Sequence, residues 1–118
     1  MKKWMILGIM ALSAAGMFAD DKPSFPGGEG ALKKYITDNT HYPSVSKENG
    51  VEGVVDVAFI VATDGSLQQL KVVRLVDPDL EKEALRVVGS MPAWIPAEKN
   101  GTPIEAPSQV EIPFILED

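Results

Sequence analysis

Gly53 to Thr63, read GVVDVAFIVAT, followed by Asp64-Gly65 and then Leu67 to Leu75, decides how the rest of this chain is organised. Val55, Val57, Phe59 and Val61 alternate with Asp56, Ala58, Ile60 and Ala62, the two-residue period of a β-strand. The second set is only partly polar, so both faces are expected to be covered and the strand to be central in its sheet. Asp64-Gly65 supplies the residue types that tolerate positive φ in a tight two-residue hairpin turn. Leu67 to Leu75 is therefore predicted to run back antiparallel beside the first strand.

Downstream, Asp77-Pro78 is a helix start. The aspartate can cap free N–H groups, and proline suits the first helical position, where its missing donor costs nothing. Asp79, Glu81 and Glu83 favour the N-terminal half and Arg86 the C-terminal half of the helix. Leu80, Ala84, Val87 and Val88 form its apolar stripe, with Leu85 alongside and Gly89 at the end. Met91 to Ala97, MPAWIPA, carries two prolines and reads as a loop that turns Trp94 inward. Asn100-Gly101 marks another turn. Gln109 to Leu116 alternates again, with Val110, Ile112, Phe114 and Leu116 on one face, and Pro113 confines it to a sheet edge.

Upstream, Leu32, Tyr35 and Ile36 recur at helical spacing between Glu29 and Asn39, while Tyr42-Pro43 blocks any continuation. Asp20 to Gly28 is a Pro/Gly-rich lead-in that reads as extended linker. Lys2 and Lys3 precede an apolar run from Trp4 to Ala19 that ends in small residues, the layout of a secretory signal peptide over residues 1–19. Cleavage after Gly16, with Ala14 behind it, fits the small-residue rule better than cleavage after Ala19, which would place Met17 at that position. The run is about 16 residues long, short of the roughly 20 a membrane-spanning helix needs. It would tether the chain to the membrane only if retained. The expected organisation is thus signal 1–19, linker 20–28 and one domain 29–118. The fold class is α+β: a three-stranded antiparallel sheet packed by one main helix, with a short N-terminal helix.

Bulk composition narrows the function. The chain has 118 residues and a net charge of −6. Without Lys2 and Lys3, nine basic residues oppose 17 acidic ones, a net −8. Such a domain has no electrostatic footprint for DNA or RNA. The absence of cysteine removes disulfides, thiolate metal sites and thiol nucleophiles. His41 is the sole histidine and has no second ligand at metal spacing. Asp77 and Asp79 fit a helix cap better than a calcium loop. Ser44, Ser66, His41 and Asp64 include hydrolase ingredients, but neither serine sits in an elbow motif. The reading is of a protein that is not an enzyme and needs no cofactor.

A set of short motifs then falls into a specific order: Phe25–Gly28 (FPGG), Tyr42-Pro43, the G-x-V-x-V-x-F-x-V run from Gly53, Asp64–Ser66 (DGS), and Val72–Arg74 (VVR). It continues through Asp77–Leu80 (DP-x-L), Glu83–Val88 (EALRVV) and Met91–Pro96 (MP-x-W-x-P). Together these resemble the TonB C-terminal domain family across roughly Phe25 to Leu116. The resemblance implies a three-stranded antiparallel sheet with a helix on one face. It also implies a partner, an outer-membrane TonB-dependent receptor or another envelope protein, whose extended segment is added beside the last strand. Carried onto this chain, the protein-binding residues are Tyr42, Pro43, Gln109, Val110, Glu111, Ile112, Phe114 and Ile115.

Full-length transducers of that family resemble this chain only in their third part, since they also carry an anchor helix and a long Pro-rich spacer. The nine-residue lead-in here reaches about 30 Å. The Ser-to-His spacing of the family's anchor helix is not met either, since Ser13 has Met17 four residues on. Phe114 follows Pro113 directly, whereas the family usually sets its aromatic residue one place later. The expectation is a periplasmic binding module of TonB type acting in TonB-dependent transport, with these departures counting against force transmission from the inner membrane. Self-association into a homodimer through the same edge is the alternative, opposed by the acidic charge.

Overall fold

The computed structural model describes residues 21–74 and 76–117. The signal segment read at 1–19, and Leu75 and Asp118, lie outside the described residues. In chain order the elements are α1 (Glu29–Asn39), α2 (Ser44–Glu48), β1 (Gly53–Val61), β2 (Leu67–Val72) and α3 (Pro78–Gly89). They end with β3 (Ala97–Lys99), β4 (Thr102–Ile104) and β5 (Ala106–Phe114). The main sheet is antiparallel with order β2-β1-β5, so β1 is the central strand its residues predict.

The period-two pattern of β1 is realised residue by residue. Val55, Val57, Phe59 and Val61 are buried, while the intervening Asp56, Ala58 and Ile60 are half-covered. Each such buried side chain contributes roughly 1.5–3 kcal/mol by leaving water. Leu80, Ala84, Val87 and Val88 of α3 meet them, and Val110, Ile112 and Phe114 of β5 close the core. Asp77 caps α3 as expected: its carboxylate accepts from Asp79 N at 3.0 Å and Leu80 N at 3.1 Å. Leu32, Tyr35 and Ile36 of α1 pack on the rim of the same core, which sets α1 and α3 on one face of the sheet.

Several boundaries differ from the sequence reading, each for a local reason. The hairpin loop holds three residues rather than two. Ala62 O accepts from Gly65 N, Ala62 N donates to Ser66 O, and only Gly65 in this turn takes a positive φ, 89°. β2 ends at Val72 and is bulged against β1 between Ala58 and Ile60, with Gln69 at φ 55°. Beyond it the Arg74 guanidinium takes the Val54 carbonyl at 2.6 Å. β5 starts at Ala106 and ends at Phe114, which leaves Ile115 and Leu116 outside the strand. The short helix α2 is new. It follows Pro43, whose carbonyl accepts from Lys47 N at 2.9 Å, and it buries Ser46 against the capping Asp77. The β3–β4 hairpin is also new, built on Asn100-Gly101 with φ values of 54° and 79°.

The lead-in is extended and docked. Ser24 and Ile95 exchange backbone bonds of 3.0 and 2.8 Å, and Glu98 N donates to Asp21 O at 3.1 Å. Phe25 is buried edge-on to Trp94, with ring centroids 5.9 Å apart. Trp94 points inward as the loop reading expects and packs on Phe59.

Gly65 is the tightest point of this arrangement. A Cβ there would strike the Trp94 carbonyl oxygen at a φ that disfavours side chains. Gly65→Ala is therefore expected to lower stability by about 1–3 kcal/mol. A urea midpoint shifted down at unchanged slope is the readout; a midpoint within error of wild type would contradict the close approach.

A sheet edge and its flanking groove as the candidate binding site

Alternation along β1 determines which groups β5 leaves free. Val73 N donates to Asp56 O at 3.0 Å, Arg74 holds Val54 O, and Ala62 N reaches Ser66 O, so the even-numbered residues of β1 face β2. The odd-numbered ones therefore face β5, where Val55 pairs with Ile112, Val57 with Val110 and Phe59 with Ser108. It follows that Ser108, Val110, Ile112 and Phe114 spend their main-chain groups on β1. Pro107, Gln109, Glu111 and Pro113 direct theirs outward.

Both prolines thus sit where a missing N–H costs the sheet nothing. They also limit the outer edge. Its donors within β5 are Gln109 N and Glu111 N, and its acceptors are the carbonyls of Pro107, Gln109, Glu111 and Pro113.

The eight residues singled out from sequence separate accordingly. Gln109 and Glu111 are exposed and carry the outward donors. Val110, Ile112 and Phe114 are core residues, at 5%, 0% and 1% exposure. Ile115 is 65% exposed just past the strand. Tyr42 lies against the end of β5, its ring edge-on to Phe114 at 5.5 Å and its hydroxyl donating to Val51 O. Burial lifts its phenol above the ordinary value, with Glu52 and Asp77 adding to the effect. Pro43 faces away into a separate hollow of about 370 Å³ beside α3.

Residues of α1, which sequence reasoning did not assign to the site, form the other wall of the edge. A hollow of about 220 Å³ lies at Ser108 and Gln109, backed by Phe25, Leu32 and Trp94. A second, about 360 Å³, sets Val54, Glu111 and Pro113 against Lys33, Ile36 and Thr37. The third, about 390 Å³, continues past Pro113 to Phe114 and Ile115, with Thr40 and Tyr42 behind. Trp94 Nε1 and Thr40 Oγ1, at the two ends of this groove, are buried without hydrogen-bond partners. The apolar spacing of Leu32 and Ile36 predicts a packed helix, but nothing local in it tells which strand the helix flanks.

Glu83 holds the Tyr42-Pro43 corner in place. Its carboxylate accepts from His41 N at 2.7 Å and from the Arg86 guanidinium at 2.8 Å, while Arg86 also donates to Asn39 O at 2.7 Å. The Arg86 hydrogen bond, helped by the His41 N–H, holds the Glu83 carboxyl below its ordinary range against the opposing effect of burial. Elsewhere, Asp64 and Ser66 hydrogen bond to one another inside the hairpin turn, which accounts for both.

Comparison with known proteins agrees with this architecture. The family described as Gram-negative bacterial TonB protein C-terminal matches residues 38–116. This chain belongs to that family, whose members are non-catalytic protein-interaction domains. Two solution structures of the Helicobacter pylori TonB C-terminal domain are similar in fold. The longer is 24% identical with a TM-score of 0.57, covering 79% of this chain and 88% of that one. The shorter is 26% identical with a TM-score of 0.54, covering 77% and 98%. Among curated protein sequences none matches significantly.

A depressed carboxyl stabilises the fold above its unfolded value, about 4.3 for glutamate, and loses that contribution as pH falls through the lower folded value. Glu83→Gln should therefore be less stable than wild type at neutral pH. The gap between the two melting curves should narrow as pH drops below about 4.3. A gap that stays constant down to acid pH would show that Glu83 does not hold the corner through its charge.

Proposed function

We propose that this TonB C-terminal domain binds an extended segment of an outer-membrane receptor in the periplasm, adding it as a fourth strand along the outer edge of β5. The open main-chain edge at Gln109 and Glu111 carries this reading, and the groove beneath α1 supports it. Main-chain pairing supplies affinity that does not depend on sequence, while hollows at alternate positions select side chains. The apolar N-terminal run is consistent with export to that compartment.

Outward and inward positions on β5 provide the test. Gln109→Pro removes one of the two outward donors and leaves every bond to β1 intact, as Pro107 and Pro113 already do. It should fold with a near-native melting temperature. Its affinity for receptor-derived extended peptides should fall about tenfold, the worth of one net hydrogen bond plus the contact it orders. Val110→Pro, one residue on, should instead unfold the sheet. Full peptide binding by a folded Gln109→Pro protein would sink strand addition at this edge. A dimer in sedimentation that dissolves on the same substitution would favour self-association instead.

A further inference from the structure

The side chains around the two outward donors define what kind of segment fits. This inference rests on strand addition at β5. Residues of an added strand that stand opposite Gln109 and Glu111 share their sheet face, while those opposite Ser108, Val110 and Ile112 share the face that α1 covers. On the α1 side Leu32 gives one hollow an apolar patch and Ile36 does so at the next two, with Lys33, Thr37 and Thr40 beside them. On the other side stands an unbalanced acidic pair. Glu111 is directly across from Asp56 in the β1–β5 register, at a position of the kind where opposed side chains come closest.

Like charges so placed repel. Arg74 relieves Asp56 only partly, its Nε being 3.7 Å from Asp56 Oδ2, and Asp56 Oδ1 is buried without a hydrogen-bond partner. Glu111 itself makes no ion pair within 4 Å among the described residues. Lys33 stands across the groove from Glu111 on α1, and it too lacks an ion pair among the described residues. Arg74 approaches Asp56 from the β2 side, away from β5, so the Glu111 carboxylate has no cation within 4 Å among the described residues.

We propose that the segment this domain recognises alternates apolar residues with polar ones and places a lysine or arginine directly opposite Glu111. The proline-bracketed edge pairs fully with only two partner residues. A single favourable or unfavourable cross-strand charge therefore weighs heavily in the choice. Glu111 is the specificity-determining residue of the edge, and the apolar positions set which way up the strand lies.

Two synthetic peptides test this, both alternating valine and threonine, one with a central lysine and one with glutamate in its place. Titrated against the full chain at low salt, with backbone amide shifts at Gln109 and Glu111 reporting the site, the lysine peptide should bind roughly two- to fivefold more tightly. Glu111→Lys, a surface change on an exposed side chain, should reverse the order, and high salt should shrink both differences. Equal binding of the two peptides at the edge, or a preference unmoved by Glu111→Lys, would overturn the charge selection and leave strand addition standing. If neither peptide shifts the Gln109 and Glu111 amides, with the protein folded, both charge selection and strand addition are overturned.

Discussion

Every other feature depends on β1 being saturated on both sides. Its odd-numbered residues bury Val55, Val57, Phe59 and Val61 against α3 and give their main-chain groups to β5, while its even-numbered residues give theirs to β2. A strand flanked in this way cannot slip by one residue without turning four large apolar side chains into solvent. That fixes the register of β5, and through it the parity of every group on the outer edge. The site is a consequence of how the central strand is buried.

The two prolines of β5 show how one feature serves the free chain and its proposed partner. An open edge is a hazard, since it will pair with any strand that approaches. Pro107 and Pro113 remove two outward donors without disturbing the ladder to β1, leaving Gln109 and Glu111 between them. Such an edge is too short for indiscriminate stacking, yet it keeps enough polarity to hold one segment. In the proposed binding mode, the charge on Glu111 and the flanking α1 narrow which segment that is.

Much of the fold was legible in the residues because its signals are local. Alternation in β1, the Asp77-Pro78 cap and the stripe Leu80, Ala84, Val87 and Val88 each rest on neighbours within a turn or two, and the structure reproduces them. Elements missed or misplaced have weak local signals. α2 is five residues held by Pro43 and a buried Ser46, the β3–β4 hairpin is two three-residue strands, and the lead-in docks through backbone bonds to Ile95 and Glu98. Of the residues read as a binding site, the sequence picked out the edge strand but mixed its inward and outward members. It listed Val110, Ile112 and Phe114, which are core, and passed over the Pro113 carbonyl and the α1 wall.

By itself, then, the sequence determined an α+β domain with a central strand, a capped helix over it and a proline-marked last strand, since period and capping are properties of contiguous residues. Only the tertiary structure decided that Gln109 and Glu111 face outward, that α1 forms the far wall of the groove, and that Glu111 meets Asp56. Those facts depend on pairing β5 with a strand some fifty residues earlier in the chain, and no local pattern encodes the parity of that match.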